Sequence, residues 1–234
     1  MESIAAIVLA AGDGKRMNSA VRKQYLTLGG KPVLFFSLKA FEESEVTEIV
    51  LVVGEGEAEY CREQIIDKYG IRKISAVVEG GRERYHSVYA GLAAVRGADY
   101  VLIHDGARPL LTADIIERSI AAVKLHDACV VGMPVKDTIK IVSEDGFSAE
   151  TPDRSSLWQI QTPQTFFYPL IWEAYESVIT KEECAVTDDA MVLERMTGKR
   201  VKVIEGNYRN IKITTPEDLI VAEAYLQELF SEKE

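Results

Sequence analysis

The sequence predicts an α/β protein, in which a sheet lies between two layers of helices, and three observations support this fold class. Short apolar runs rich in Val and Ile recur along the chain, amphipathic segments separate them, and the composition provides for a substantial core. Of the 234 residues, 47% are hydrophobic and 27% are charged. This length and balance fit one α/β domain of ordinary size.

The apolar runs are continuous rather than alternating, which is typical of strands buried on both faces of a parallel sheet. They lie at Ile4–Leu9, Glu48–Val53, Lys73–Val78, Tyr100–His104, Ala128–Met133 and Val201–Glu205. Helical patterns lie at 32–43, 57–69, 84–96, 112–126, 169–179, 187–197 and 215–231. The alternation predicts a three-layer α/β/α sandwich with a Rossmann-like, mostly parallel sheet.

Two of the predicted helices have recognisable capping signals at their starts. Thr215 places a hydroxyl before Pro216, and acidic residues follow in the first turn, where the helix dipole favours them. Thr187 precedes two aspartates in the same way, so we predict that it caps the 187–197 helix and that Gly198 ends this helix.

Residues 135–160 interrupt the alternation of strands and helices. Asp145-Gly146 stands between two β-like stretches, which indicates a hairpin. We therefore expect a single domain over residues 1–234 with a protruding β-arm at about 135–160. Trp158, Phe166 and Phe167 are expected to pack in the core or at an arm interface.

The distribution of charge favours a small anionic ligand over nucleic acid. The chain has 27 Lys+Arg against 37 Asp+Glu, a formal net charge of −10, whereas nucleic-acid-binding proteins usually carry a basic excess. Residues 1–40 nevertheless contain six lysines and arginines and only two acids. This basic segment in an acidic protein predicts contact with an anion.

The cysteines and the first apolar run predict a cytoplasmic protein with no membrane partner. Cys61, Cys129 and Cys184 are widely spaced and odd in number, which predicts neither a disulfide framework nor a zinc site. The apolar run Ile4–Ala11 is too short to span a bilayer, and it follows Glu2 rather than a basic segment.

A glycine-rich loop follows the first predicted strand and reads Ala10-Ala11-Gly12-Asp13-Gly14. It fits either a tight turn or a loop whose backbone N–H groups surround phosphates. Met17 stands where a dinucleotide-binding loop needs its third glycine, and Arg16 stands where a P-loop needs Ser or Thr. Arg16 and nearby Lys23 add the positive charge that a phosphate site requires.

Asp105 is the candidate metal ligand, because it follows a buried strand at the sheet edge where the glycine-rich loop also lies. A carboxylate there could hold Mg²⁺ against phosphate oxygens or cap the following turn, and the local sequence leaves both open. His86, His104 and His126 lack metal-ligand spacing and are expected to pack or to face solvent.

Several motifs together resemble one enzyme family. Leu9–Met17 reads L-A-A-G-x-G-x-R-M, and K-Q-Y follows at Lys23–Tyr25, as in the sugar nucleotidyltransferases that use nucleoside triphosphates. More narrowly, the chain resembles the cytidylyltransferases that act on 2-C-methyl-D-erythritol 4-phosphate. Further motifs of that family follow in order at Gly80–Val88, His104–Pro109, Pro134–Thr138, Gln161–Gln164, Thr187–Ala190 and Asn210–Thr214.

This resemblance implies a function, a cofactor and a set of site residues. The function is transfer of CMP from CTP to 2-C-methyl-D-erythritol 4-phosphate in non-mevalonate isoprenoid precursor biosynthesis. The implied cofactor is Mg²⁺ or another divalent cation, and the implied assembly is a homodimer that exchanges arms. The implied catalytic residues are Arg16 and Lys23, and the implied metal ligand is Asp105. The implied CTP-binding residues are Ala10, Ala11, Gly12, Gly14, Gly81 and Ser87. The implied acceptor-binding residues are Arg108, Thr138, Arg154, Thr187 and Lys212.

The sequence departs from the family pattern at two positions and leaves other functions open. Arg22 stands where a proline commonly precedes Lys-Gln, and Gly106 replaces a more usual alanine. A cytidylyltransferase for another polyol phosphate, such as ribitol 5-phosphate, would share most of the motifs. A non-catalytic nucleotide-binding module is a second alternative, and a dinucleotide-dependent oxidoreductase is a third.

Overall fold

The computed structural model describes residues 2–12, 21–180 and 185–231 of the chain. Its strands are β1 (Ile4–Ala10), β2 (Thr27–Leu28), β3 (Lys31–Pro32), β4 (Glu48–Val53), β5 (Ile74–Glu79), β6 (Tyr100–Asp105), β7 (Ala128–Pro134), β8 (Ile141–Val142), β9 (Ser148–Glu150), β10 (Trp158–Phe167) and β11 (Lys202–Glu205). Within these ranges, no helix is long and apolar enough to cross a membrane.

The α-helices are α1 (Val33–Glu42), α2 (Ala58–Cys61), α3 (Arg84–Ala94), α4 (Ala113–His126), α5 (Tyr168–Ile179), α6 (Asp189–Thr197) and α7 (Pro216–Ser231). The helix predicted at 57–69 changes character along its length, because α2 continues as a π-helix over Arg62–Asp67. Short 3-10 turns lie at Lys23–Tyr25 and Arg154–Ser156.

The central sheet has seven strands in the spatial order β11-β7-β10-β6-β1-β4-β5. All six predicted strands are in it and are parallel to one another, which confirms the mostly parallel sheet. Side chains of β1 alternate between its faces: Ala6 and Val8 pack in a cluster with α1, α2 and α4, and Ala5 and Ile7 pack in a cluster with α3, α5 and α6. The predicted α/β fold, with helices flanking a central sheet, is therefore confirmed.

Strand β10 is the element of the sheet that the sequence pattern did not predict. It runs antiparallel between β6 and β7. Its register with β7 shifts between Ile160 and Gln164. The middle of β10 is buried but largely polar, so it has neither a continuous apolar run nor an alternating one. Its buried side chains form hydrogen bonds, described below, in place of the apolar contacts that a hydropathy pattern would indicate.

The start of α6 differs from the prediction. Asp188, not Thr187, is the capping residue, and its carboxylate accepts a hydrogen bond from the backbone N–H of Met191 at 2.9 Å. A carboxylate is a stronger acceptor than a hydroxyl at the positive end of a helix dipole, which explains the choice. Gly198 ends the helix with a positive φ of 69°, as predicted.

The arm contains β8 and β9, which pair antiparallel around Asp145-Gly146. Gly146 has a φ of +88°, a value that glycine adopts without steric cost. Apolar side chains of the hairpin face outward: Ile141, Val142 and Phe147 are all exposed.

We expect the two adjacent phenylalanines of β10 to contribute very differently to stability. Phe166 is fully buried in the cluster beneath α5, whereas Phe167 is 37% exposed on the opposite face. Phe166→Ala should lower the free energy of unfolding by about 3–5 kcal/mol, because it leaves a cavity in the core. Phe167→Ala is the matched control with a smaller loss, and urea unfolding followed by circular dichroism compares them. Equal losses would contradict this packing.

Candidate active site

A cavity of about 870 Å³ opens at the carboxyl ends of β1, β4, β5 and β6. Ligands of open α/β folds bind at this edge of the sheet. The cavity is lined by Leu9, Ala10, Ala11, Gly12, Arg22, Lys23, Gln24, Gly54, Glu55, Gly80, Gly81, Arg82, Glu83, Arg84, Ser87, Asp105, Ala107 and Lys212. Eight of the residues assigned to the site from sequence are in this set.

One wall of the cavity combines the glycine-rich loop with the turn that carries Lys23. Ala10, Ala11 and Gly12 line it directly after β1. Gln24 is buried and its amide donates a hydrogen bond to the carbonyl of Ala10, which ties the 3-10 turn to the end of β1. Lys23 lies in that turn and also lines the cavity. Gly14 and Arg16 lie outside the described residues.

The opposite wall is the turn that begins α3. The hydroxyl of Ser87 accepts a hydrogen bond from the backbone N–H of Gly81 at 3.2 Å. A Cβ on Gly81 would lie 2.5 Å from that of His86, so this turn can approach the helix closely only with glycine. Glu83 and His86 close the helix start with a reciprocal capping box.

Asp105 lies at the end of β6 and is surrounded by positive charge. Its Oδ2 is 2.9 Å from Lys212 Nζ, and Arg84 and Arg108 each approach its carboxylate to 3.7 Å. Burial alone would raise the pKa of Asp105, but Lys212 and the two guanidinium groups outweigh it and hold the pKa well below its usual range. Asp105 is therefore ionised at neutral pH.

A second charge pair, between half-buried Arg84 and buried Asp189, lies behind Asp105 and is not indicated by the local sequence pattern. The guanidinium of Arg84 forms two parallel hydrogen bonds to the carboxylate of Asp189, at 2.7 and 2.8 Å. The hydroxyl of Tyr175 also donates to Asp189, at 2.5 Å. Burial opposes the charge on Arg84, but the nearby carboxylate of Asp189 raises its pKa well above the usual value. Arg84 thus bridges two carboxylates and is fixed between them.

Gln164 of β10 supports this pair and explains part of that strand's polarity. Its side-chain carbonyl accepts hydrogen bonds from the backbone N–H groups of Asp189 and Ala190, at 3.0 and 2.9 Å. Its amide donates to the carboxylate of Asp188 at 3.0 Å. Gln164 and its partners lie in two of the motifs named above, Gln161–Gln164 and Thr187–Ala190, but the motifs alone do not show that the two segments bond to each other.

His104, for which the sequence left packing and solvent exposure both open, is fully buried beneath the site. The hydroxyl of Thr162 accepts from the backbone N–H of Asp105 at 3.1 Å and lies 3.0 Å from His104 Nδ1. His104 Nε2 lies 3.3 Å from the carbonyl of Arg108. With Nε2 protonated, a neutral imidazole satisfies both of these hydrogen bonds of His104. Burial lowers the pKa of His104 to about 4.

Arg108 is fixed by the segment that follows β11. Its Nη1 donates to the carbonyl of Asn210 at 2.8 Å, and Asn210 in turn donates to the carbonyl of Thr162 at 2.9 Å. Burial lowers the pKa of Arg108, and the charge of Asp105 opposes that effect. Because Lys212 is two residues beyond Asn210, one segment holds both cations next to Asp105.

Four predicted acceptor-binding residues are not among those that line this cavity. One of them, Arg108, is held beside Asp105 by the carbonyl of Asn210. Thr138 and Arg154 are exposed on the arm, where Arg154 Nη1 donates to the carbonyl of Lys136 at 2.7 Å. Thr187 is exposed before α6.

The residues at the cavity fit a divalent metal that takes most of its ligands from phosphate and water. Within the described ranges, no three His, Cys, Asp or Glu residues form a metal-binding group. Asp105 is an ionised carboxylate that lines the cavity, and Glu55 and Glu83 line it as well. Mg²⁺ is commonly bound by one or two carboxylates together with substrate phosphates, so this donor set suits it.

Comparison with known proteins agrees with this geometry. Residues 4–228 match the family model described as IspD: 2-C-methyl-D-erythritol 4-phosphate cytidylyltransferase. A protein of that name from Lachnoclostridium phytofermentans is 53% identical over 228 residues, which cover 97% of this chain and 98% of the relative. One from Alkaliphilus oremlandii is 54% identical over 223 residues, which cover 94% of each chain.

Solved structures give the same result. The 4-diphosphocytidyl-2C-methyl-D-erythritol synthase of Anaerococcus prevotii superposes with a TM-score of 0.84 at 36% identity and covers 97% of this chain and 96% of its own. The 2-C-methyl-D-erythritol 4-phosphate cytidylyltransferase of Thermus thermophilus has a TM-score of 0.77 at 28% identity, with 94% and 98% covered.

We expect His104 to make the protein less stable in mild acid. Its pKa is about 4 in the folded chain and about 6.5 when unfolded, so the unfolded chain binds more protons between these values. The free energy of unfolding should therefore fall as the pH falls from about 6.5 to 4, by up to about 3 kcal/mol from this group. His104→Gln should flatten that slope in urea unfolding at a series of pH values.

His126→Gln controls for the loss of one imidazole, since His126 is exposed at the end of α4. If His104→Gln and the parent protein show the same slope, the neutral buried imidazole is refuted.

Proposed function

The chain belongs to the 2-C-methyl-D-erythritol 4-phosphate cytidylyltransferase family, and we propose how its residues carry out that family's reaction. It is a nucleotidyltransferase of isoprenoid biosynthesis. It transfers CMP from CTP to 2-C-methyl-D-erythritol 4-phosphate, giving 4-diphosphocytidyl-2-C-methyl-D-erythritol and pyrophosphate. The observation that carries the proposed mechanism is the convergence of Lys23, Lys212 and Asp105 on one cavity.

The two glycine-containing walls of the cavity hold CTP in this proposal. Backbone N–H groups of Ala10, Ala11 and Gly12, continued by Gly14, would bind the triphosphate, because amides of such loops present several donors to phosphate oxygens. Gly81 and Ser87 would contact the nucleoside. Both residues line the cavity, which supports this assignment.

The acceptor's phosphate oxygen is the nucleophile and attacks the α-phosphorus of CTP. A phosphate monoester has a second pKa of about 6, so it is already largely ionised at neutral pH and needs no general base. The difficulty is to bring two polyanions together and to stabilise the charge that develops on the α-phosphate and the leaving pyrophosphate. We propose that Lys23 and Arg16 stabilise this developing negative charge.

Arg108 and Lys212 would receive the acceptor's phosphate. Asp105 holds both cations in place, so little reorganisation is needed when the phosphate arrives.

Enzymes of this family use a divalent metal, and Asp105 is the residue that we assign to hold it. When bound, Mg²⁺ would neutralise charge on the triphosphate. Arg84 keeps the Asp105 carboxylate ionised and oriented through its own attachment to Asp189.

We assign Thr138 and Thr187 to the acceptor pocket, and Arg154 to the acceptor pocket of a second subunit. An exchange of arms in a homodimer would place Arg154 next to the partner's acceptor. Two observations support this: Arg154 does not line its own chain's cavity, and the arm exposes apolar side chains, with Phe147 72% exposed.

A cytoplasmic location stays a prediction; Cys61 and Cys129 are free and buried.

Lys23→Ala should keep the fold but lower kcat about 10²- to 10³-fold, because a preorganised charge at the transition state is lost. Release of pyrophosphate from CTP in the presence of Mg²⁺ and 2-C-methyl-D-erythritol 4-phosphate measures this, with ribitol 5-phosphate as a competing acceptor. Lys39→Ala is the control, since Lys39 lies on α1 and pairs with Glu43 away from the cavity. A Lys23→Ala enzyme with a near-parental kcat would remove Lys23 from the mechanism.

Arm exchange predicts complementation between two inactive variants. A mixed dimer of Lys23→Ala and Arg154→Ala chains has one site with both native residues, so random mixing should restore about a quarter of the parental activity. The two chains are unfolded together, refolded and assayed for pyrophosphate release, and each variant refolded alone is the control. A mixture no more active than its components would refute the exchange.

A further inference from the structure

Glu57, at the start of α2, binds three residues around the turn that carries Lys23. Its Oε1 is 3.1 Å from Arg22 Nε, and its Oε2 accepts from Arg22 Nη1 at 3.3 Å. Oε2 also accepts from the hydroxyl of Tyr25 at 2.9 Å and from the backbone N–H of Gly54 at 3.1 Å. One carboxylate therefore joins both ends of the Lys23 turn to the end of β4.

Glu57 is not among the residues that line the cavity, whereas Arg22, Lys23 and Gly54 are. Its side chain is 18% exposed, so its charge is largely shielded from solvent and paired with Arg22. Together with the bond from Gln24 to the carbonyl of Ala10, the contacts of Glu57 hold the residues on both sides of Lys23.

We propose that Glu57 is a positioning residue for Lys23, and that it acts through the side chain of Arg22 and the hydroxyl of Tyr25. This inference rests on the catalytic role proposed for Lys23. An error of about 1 Å in the place of a catalytic group can cost on the order of 100-fold in rate, so a carboxylate outside the cavity can control turnover.

The backbone of Arg22 shows how its side chain contributes. Its φ is −62° and its ψ is 142°. A proline ring would impose this φ, and is compatible with this ψ, without any side-chain contact. The ion pair with Glu57 therefore holds a conformation that proline would hold covalently. Gly54 is part of the same arrangement, because the guanidinium group of Arg22 lies against its backbone. A Cβ at Gly54 would lie 2.0 Å from Arg22 Nη1.

The competing explanation makes Arg22 a phosphate-binding cation that Glu57 restrains. The two explanations predict opposite results for Glu57→Gln. Loss of a positioning contact lowers kcat, because an amide has one acceptor oxygen for four donor groups from three residues. Release of a restrained cation would instead lower the KM for CTP.

The test measures kcat and the KM for CTP, with Mg²⁺ and 2-C-methyl-D-erythritol 4-phosphate, for single and double variants of the full chain. Glu57→Gln should lower kcat about 10- to 100-fold and change the KM for CTP little. In the Arg22→Pro background the same substitution should lower kcat at most about twofold. Glu59→Gln is the matched control, since Glu59 is exposed on α2.

Background variants separate this inference from the proposed function. If Lys23→Ala lowers kcat, Glu57→Gln should add no further loss to it, because the positioned group is already gone. If Lys23→Ala leaves kcat unchanged, the proposed function of Lys23 fails first. If Lys23→Ala lowers kcat but Glu57→Gln does not, only the positioning role fails.

The Arg22→Pro background and thermal unfolding distinguish the positioning of Lys23 from a general effect of Glu57 on the fold. Loss of kcat in Glu57→Gln with equal loss in the Arg22→Pro background would overturn the proposal. A lower KM for CTP in Glu57→Gln would overturn the proposal as well. Recovery of kcat in the double variant at an unchanged melting temperature would support it.

Discussion

The negative charge of Asp105 is the constraint on which the arrangement of the site depends. A carboxylate buried at the end of a strand is stable only with compensating charge, and three separate segments supply it. Lys212 comes from the segment after β11, Arg84 from the start of α3, and Arg108 from the turn after β6 itself. The cations that suit a phosphate ligand are thus placed by the need to neutralise one acid.

That constraint extends into the helical layer through Arg84. Its second partner, Asp189, lies at the start of α6 and is held by Tyr175 of α5 and by Gln164 of β10. The site and one helical layer therefore share a continuous set of buried polar contacts. Such a set specifies one arrangement, because any of its members would be left with an unpaired buried charge or donor in another arrangement.

The sequence predicted the features that local pattern encodes. Six apolar runs located the parallel strands, and Gly12 and Asp105 could be placed at one edge because both follow such runs. Pairs such as Arg84 and Asp189 are 105 positions apart and leave no periodic signal, and β10 is stabilised by polar contacts that hydropathy does not register. Thr187 was wrongly predicted as a cap because either of two adjacent acceptors could fill that position.

Strand β10 also constrains how the chain can be assembled during synthesis. It inserts between β6 and β7, two strands that precede it in the chain and do not pair with each other. Until about residue 167 has left the ribosome, β7 has no place in the sheet and β6 presents an open edge to other chains. Open edges of this kind favour intermolecular pairing, so a nascent chain paused in the arm presents β6 to other chains until β10 has paired with it.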